Sequence, residues 1–326
     1  ATPLLCSRRV MQALFWDGTT ARVIEHVTPA LADGMALVRV NVAGVCNTDL
    51  EITRGYMQFR GILGHEFVGV VENGPPNWRG ARVVGEINFG CGRCDNCARG
   101  LARHCPTRRV MGILRADGAF AELVAVPLCN LHRVPDGIPD EAAVFAEPLA
   151  AAFEILEQVH VTAVTDCVVL GDGKLGLLAA QVLFQAGARV TVVGKHAHKL
   201  ALLRQRGIAA VPLQEWQGAA ADLVVEATGS AAGPAAALAA TKPRGVLILK
   251  STVAGPTTLD LASVVINEVT VVGSRCGSFA PALRALAANS VDVLSLISAR
   301  RPLTQAAEAL QLAARPGTLK VLLTAK

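Results

Sequence analysis

Between Gly44 and Glu66 the chain gathers a thiol, an imidazole and carboxylates: Cys46, Thr48 and Asp49 stand at one end, Gly64, His65 and Glu66 at the other. Thiolate and neutral imidazole are donors that Zn²⁺ prefers, and the Thr48 hydroxyl, two residues past the thiol, is placed to take a proton beside such a metal. Catalytic zinc is the sharper reading of this stretch. A buried free Cys with a capping His is the plainer one, and the stretch alone leaves both open. A second cluster is more specific. Cys91, Cys94, Cys97 and Cys105 follow C-x2-C-x2-C-x7-C, which lets one loop wrap a single tetrahedral ion with no position left for substrate. Structural zinc is expected there, in preference to four reduced thiols without metal or a redox dithiol.

The third constellation lies in the second half. Cys167-Val168-Val169-Leu170 reads as a short buried strand, Gly171-Asp172-Gly173-Lys174-Leu175-Gly176 follows at once, and a helix through Gln185 leads to a second strand at Arg189 to Val193. A lone G-x-G-x-x-G is weak, but this one has the strand-helix-strand context that dinucleotide binding requires. Gly171 permits the tight turn, Gly173 lets backbone approach a pyrophosphate, and Gly176 lets helix pack on strand. The phosphate would meet the helix N-terminus beside Lys174 and Leu175. A glycine-rich turn without ligand is the alternative. At the tip of the second strand, where an acidic residue would select NAD, the chain has Gly194, Lys195 and His196. With no carboxylate there and a cation available, NADP is favoured over NAD unless these are merely solvated loop residues.

The elements that must position these groups change character along the chain. Its 326 residues suit two domains, and 52% hydrophobic against 17% charged residues excludes disorder. Ala, Val and Leu dominate the apolar set and aromatics are 4%, a balance suited to a parallel sheet covered by helices, hence an α/β fold. The stretch from Met11 to Val134 reads as short alternating strands, with the segment before Met11 as a loosely held extension. A helix beginning near Glu147 marks the crossing to repeated strands and alanine-rich helices. Pro302 to Ala314 reads as helical, and Leu319 to Leu323 as a strand that either extends the parallel sheet or pairs with the first domain. A net charge of +5 is not gathered into a stripe, and the arginines around the cysteine loop lack interleaved aromatics, so no nucleic-acid partner is expected. No membrane span and no signal segment are read, and nine Cys argue for thiolate chemistry rather than a disulfide framework in a cytoplasmic protein.

Gly-Val-Cys-Asn-Thr-Asp at 44–49, Gly-His-Glu at 64–66, the four-Cys loop and the glycine fingerprint occur in the order seen in the zinc-containing medium-chain dehydrogenase/reductase superfamily, which this chain resembles from Met11 onward. The superfamily includes alcohol, polyol, glucose and threonine dehydrogenases. The resemblance implies a GroES-like β-barrel catalytic domain (11–146 and 290–326) and a Rossmann domain, a doubly wound parallel sheet (147–289). It implies catalytic zinc on Cys46 and His65, with Glu147 as third protein ligand where many alcohol dehydrogenases have Cys, and Glu66 able to exchange with water on the metal. Glu147 as a helix-capping carboxylate remains the alternative. Asp49 would fix the His65 tautomer and Thr48 would accept the proton of an alcohol substrate. Glu51 stands where alcohol dehydrogenases carry a relay His, and either ends that relay or is a solvated helix charge. The implied reaction is hydride transfer between an alcohol, polyol or sugar, or the matching carbonyl, and NAD(P), in a homodimer or homotetramer. Alternatives are a catalytically idle NADP-binding or interaction protein and a zinc-independent quinone or enoyl reductase; the latter group lacks both metal sets.

Overall fold

Period-two alternation dominates the start of the described chain, which comprises residues 9–253 and 255–325 of a computed structural model. β1 (Val10–Trp16) pairs antiparallel with β2 (Ala21–Val27). The segment read as an extension lies, apart from Arg9 and Val10, outside the described residues. β3 (Met35–Gly44) buries Val38, Val40 and Val42 while Arg39 faces out, and it is the hub of the first unit. After α1 (Asn47–Thr53) and β4 (Gly61–Ile62), β5 (Glu66–Asn73) pairs with β3 and with β6 (Arg82–Gly85). The cysteine loop hangs from a small separate sheet: β7 (Asn88–Phe89) leads to α2 (Asp95–Ala98), and β8 (Arg109–Met111) and β9 (Arg115–Ala116) close it. β10 (Leu123–Pro127) returns to β3, β11 (Leu131–Arg133) pairs with β6, and α3 (Asp140–Ala143) ends the first pass.

The second unit, Ala146–Ile297, alternates strand and helix. α4 (Ala146–Gln158) leads to β12 (Asp166–Leu170), α5 (Lys174–Gln185), β13 (Arg189–Gly194), α6 (Ala197–Arg204) and β14 (Ala209–Pro212). β15 (Ala221–Glu226), α7 (Gly233–Ala239), β16 (Thr241–Leu249), α8 (Leu261–Ile266), β17 (Thr270–Gly273) and α9 (Phe279–Ala287) follow. All six strands are parallel, in the order β14-β13-β12-β15-β16-β17. Strands covered on both faces need continuous apolar runs, and Val168, Leu170, Val224 and Leu247 supply one core cluster here. Each such fully buried side chain contributes about 1.5–3 kcal/mol. The order reverses direction beside β12, and the glycine turn leaves β12 at that switch point, where doubly wound sheets bind ligands. Within this unit the buried Lys250 ammonium donates to Ala151 O, Ser274 Oγ and Arg275 O, tying α4 to the loop after β17. Burial brings its pKa down to about 8 against the nearby Cys276, Glu154 and Glu147.

The tail then rejoins the first unit, which runs to Phe145 and resumes at Ser298. The region read as helical from Pro302 to Ala314 is a short 3-10 turn (Leu303–Gln305) and α10 (Ala306–Ala313), and ahead of it runs a strand absent from that reading, β18 (Ile297–Pro302). An edge strand carrying Arg300 and Arg301 shows little apolar alternation, which is why it escapes a pattern search. β19 (Lys320–Thr324) pairs antiparallel with β3, so the open choice for the tail resolves toward the first domain. Residues 290–297, assigned by resemblance to the catalytic domain, lie in the second unit, where Asp292 N–H donates to Gln181 Oε1 and Gln181 Nε2 donates back to Asp292 O.

Candidate metal centres and cofactor site

Cys46 caps the N-terminus of α1, and its N–H donates to Asp49 Oδ2 at 2.8 Å, so the helix start fixes both residues. His65 precedes β5, and Glu66 is its first residue, opposite Gly44 in the β3 ladder. Gly44 leaves room for the Glu66 carboxylate, which a Cβ there would push aside. Ligand atoms of Cys46, His65 and Glu66 lie within 4.8 Å of one another. His65 Nδ1 stands 3.3 Å from Asp49 Oδ1, leaving Nε2 as the nitrogen available to a metal. The Thr48 hydroxyl lies 3.7 Å from Cys46 Sγ. Glu51 is buried, at 5% exposure, with its carboxylate 2.7 Å from Arg54 Nη1, which corrects the reading of Glu51 as a solvated helix charge. The helix turns Glu51 inward, so it is the exposed Arg54 that meets water. Glu147 is half-buried in the first turn of α4 in the other unit.

Lys320 is a participant that motif reading misses. It is fully buried in β19, and its ammonium donates to Glu66 Oε2 while standing 5.4 Å from the Phe145 ring centre. Its signal in the sequence is a lone cation inside the run Leu319 to Leu323, where a charge buried on a central strand requires a partner.

A divalent ion fits this set. His65 Nδ1 and Asp49 Oδ1 face each other, and among the described residues Glu66 Oε1 is buried without a hydrogen-bond partner, an orphaned acceptor that ordinary packing avoids. Burial pushes the His65 pKa down, but Asp49 and the Cys46 thiolate outweigh it and hold the imidazole well above its ordinary value. Surroundings that stabilise an imidazolium favour any cation, and a metal arriving there displaces that proton.

The four thiols of the other loop also lie with their sulfurs within 4.8 Å of one another. Zn–S bonds of about 2.3 Å place tetrahedral sulfurs about 3.8 Å apart, so small adjustments close the site. The Thr107 hydroxyl and the Cys91 amide bring Cys105 down to about 6, and the amides of Arg93 and Cys94 lower Cys91. Cys94, despite the Cys97 amide, is pushed up to about 11 by burial and the neighbouring thiols. Four adjacent sulfurs cannot all ionise unaided, and a bound cation removes that conflict.

In the glycine turn, Gly171 adopts φ +118°, and a Cβ on Gly171 or Gly176 would strike backbone, whereas one on Gly173 would meet nothing within 4 Å. Two glycines are thus consumed by packing and the third leaves an open approach. Gly173 is the N-cap of α5 and makes no side-chain cap, so the first-turn amides beside Lys174 and Leu175 remain for a phosphate. At the tip of β13, Gly194 is buried, His196 half-buried and Lys195 exposed. The expectation that no carboxylate reaches this tip is corrected: Asp172, from the turn itself, accepts the N–H groups of Lys195 and His196.

Known proteins share this fold. An alcohol dehydrogenase GroES-like domain model matches residues 32–136, and a zinc-binding dehydrogenase model matches 175–290. The chain is similar to D-arabitol-phosphate dehydrogenase of Enterococcus avium, 29% identical over 92% of each chain. It is also similar to sorbitol dehydrogenase of Halalkalibacterium halodurans, 28% identical over 93% of this chain and 95% of that one. A structure named as a zinc-binding dehydrogenase from Sinorhizobium meliloti 1021, bound to NADP, superposes with a TM-score of 0.88 at 26% identity, covering 97% of this chain and 99% of that one. The architecture is therefore a GroES-like domain with a Rossmann domain, and the relatives are dehydrogenases. No described helix is long and apolar enough to cross a membrane.

Proposed function

We propose, from the premise that this chain belongs to the zinc-containing medium-chain dehydrogenase/reductase superfamily, that it is a zinc-dependent dehydrogenase exchanging a hydride between a secondary alcohol, polyol or sugar and NAD(P). The observation that carries this is the convergence of Cys46, His65 and Glu66, with Glu66 Oε1 buried and without a hydrogen-bond partner among the described residues. When bound, zinc supplies Lewis-acid stabilisation of charge on the substrate oxygen, and the nicotinamide supplies the hydride chemistry. Cys46 and His65 hold the metal, Asp49 orients the imidazole, and Glu147 is a further ligand from α4. Glu66, ion-paired with Lys320, would be the ligand able to exchange with water. Thr48 takes the substrate proton, and Glu51, buried on the same helix and ion-paired with Arg54, is the carboxylate that ends that relay. The four cysteines at 91, 94, 97 and 105 hold a structural zinc.

At the adenosine end, Lys195 and His196 alone argue for NADP, and Asp172 opposes them. The compartment proposed is the cytoplasm, in keeping with cysteine usage that suits thiolate chemistry rather than a disulfide framework. A dimer or tetramer joined at the β17 edge is supported by Leu261, Val265 and Ile266 on α8, which are 68–79% exposed. Sedimentation at the monomer mass would count against it. The activity is tested by oxidation and reduction assays over polyols, aldoses, threonine and simple alcohols with both nicotinamides. Turnover confined to zinc-loaded protein is expected, and a fully zinc-loaded preparation inert across the panel would sink the proposal.

A further inference from the structure

Asp172 belongs to neither the glycines of the turn nor the metal sites. Its carboxylate, 10% exposed, crosses from the end of β12 to the tip of β13. Oδ2 accepts Lys195 N–H at 2.8 Å and His196 N–H at 2.6 Å, and His196 Nδ1 lies 3.0 Å from Oδ2 and 3.2 Å from Oδ1. Room for this crossing exists because position 194 is glycine: an added Cβ would stand 2.5 Å from Asp172 Cβ. The chain thus leaves the last residue of β13 without a side chain and fills the same space with a carboxylate from the preceding turn. Lys199, buried in the first turn of α6, senses that charge as well, since Asp172 offsets the lowering of its pKa by burial.

We infer that Asp172 is the residue that selects the cofactor, discriminating against a 2′-phosphate so that the protein binds NAD(H) in preference to NADP(H). This rests on the dinucleotide reading of the glycine turn. The groups a 2′-phosphate needs at this tip, two backbone amides and an imidazole, are the groups Asp172 already holds. A phosphate brings acceptors and negative charge only, so it must displace the carboxylate or lie against it, and like-charge contact in a recess is strongly unfavourable. A ribose hydroxyl brings a donor instead, and Oδ1, engaged by the longer His196 contact, has capacity to accept it. Lys195 is exposed, and a flexible surface ammonium offsets little of the repulsion. The preference set by Lys195 and His196 alone is thereby reversed.

Calorimetric titration of the full chain with NADH and with NADPH tests this without turnover. Wild-type protein is expected to bind NADH tighter by about tenfold or more, and Asp172→Asn to tighten NADPH by about tenfold while NADH holds or weakens. Asp172→Ser, which also removes the charge, is expected to shift the ratio the same way and guards against a fault peculiar to the amide. Tighter NADPH binding by the wild type, or an unchanged ratio in both folded variants, overturns the inference alone. Failure of the wild type to bind either dinucleotide overturns the dinucleotide reading, and the inference with it.

Discussion

Cys46→Ala will lower turnover by about three orders of magnitude or more, because Lewis-acid stabilisation supplies several kcal/mol and each 1.4 kcal/mol is about tenfold in rate. The same variant will fall from about two zinc ions per chain to about one, the survivor held by the four-cysteine loop. Loss of fold does not explain such a result. The Cys46 backbone N–H to Asp49 that starts α1 is kept by alanine, which loses the weak capping contact of the sulfur with the N3 amide and its 3.7 Å contact with the Thr48 hydroxyl. NADH binding, which depends on the other unit, will persist. Elemental analysis, calorimetry and steady-state assay on one preparation separate these outcomes, and turnover retained in the zinc-depleted variant would falsify the catalytic-metal assignment.

What could be read from the sequence divides according to distance along the chain. The four-cysteine loop and the glycine turn are legible because all their partners fall within about fifteen residues, and the spacing itself carries the geometry. Cys46, His65 and Glu66 are close enough in sequence to be paired by inspection as well. Lys320 is not, because it lies 254 residues from Glu66 and nothing local marks the pairing. Only the β3–β19 ladder, which sets Leu322 against Gly44, brings it there. Asp172 is missed for a different reason. The rule for the adenosine ribose looks about twenty residues past the glycines, to the tip of β13, and there it finds Gly194. The rule locates the right place in space, but the carboxylate that occupies it comes from the turn. Glu51 shows the same limit on a smaller scale. Helical spacing from Asn47 does not say how much of α1 is covered, and the fold buries four consecutive residues, Asp49 to Ile52, which together span most of the helix circumference.

Lys320→Met will destabilise the first unit by about 3–5 kcal/mol, the cost of stranding a buried charge, and lower its thermal transition by on the order of 10 °C. Glu66 is the stranded group. Its Oε2 loses the ammonium, its Oε1 already has no hydrogen-bond partner among the described residues, and both residues are sealed from water. Methionine fills most of the lysine stem beside Phe145, so the loss is electrostatic rather than a cavity. Adding Glu66→Gln should therefore restore much of the lost stability, because an apolar and neutral pair of similar volume replaces a buried ion pair at little cost. The two phenotypes then separate the roles of Glu66. If it serves only to neutralise Lys320, the double variant will match wild type in both melting and zinc affinity. If it also serves as a zinc ligand, the double variant will melt near wild type yet bind zinc more weakly and turn over more slowly, because one carboxylate of the metal set is gone.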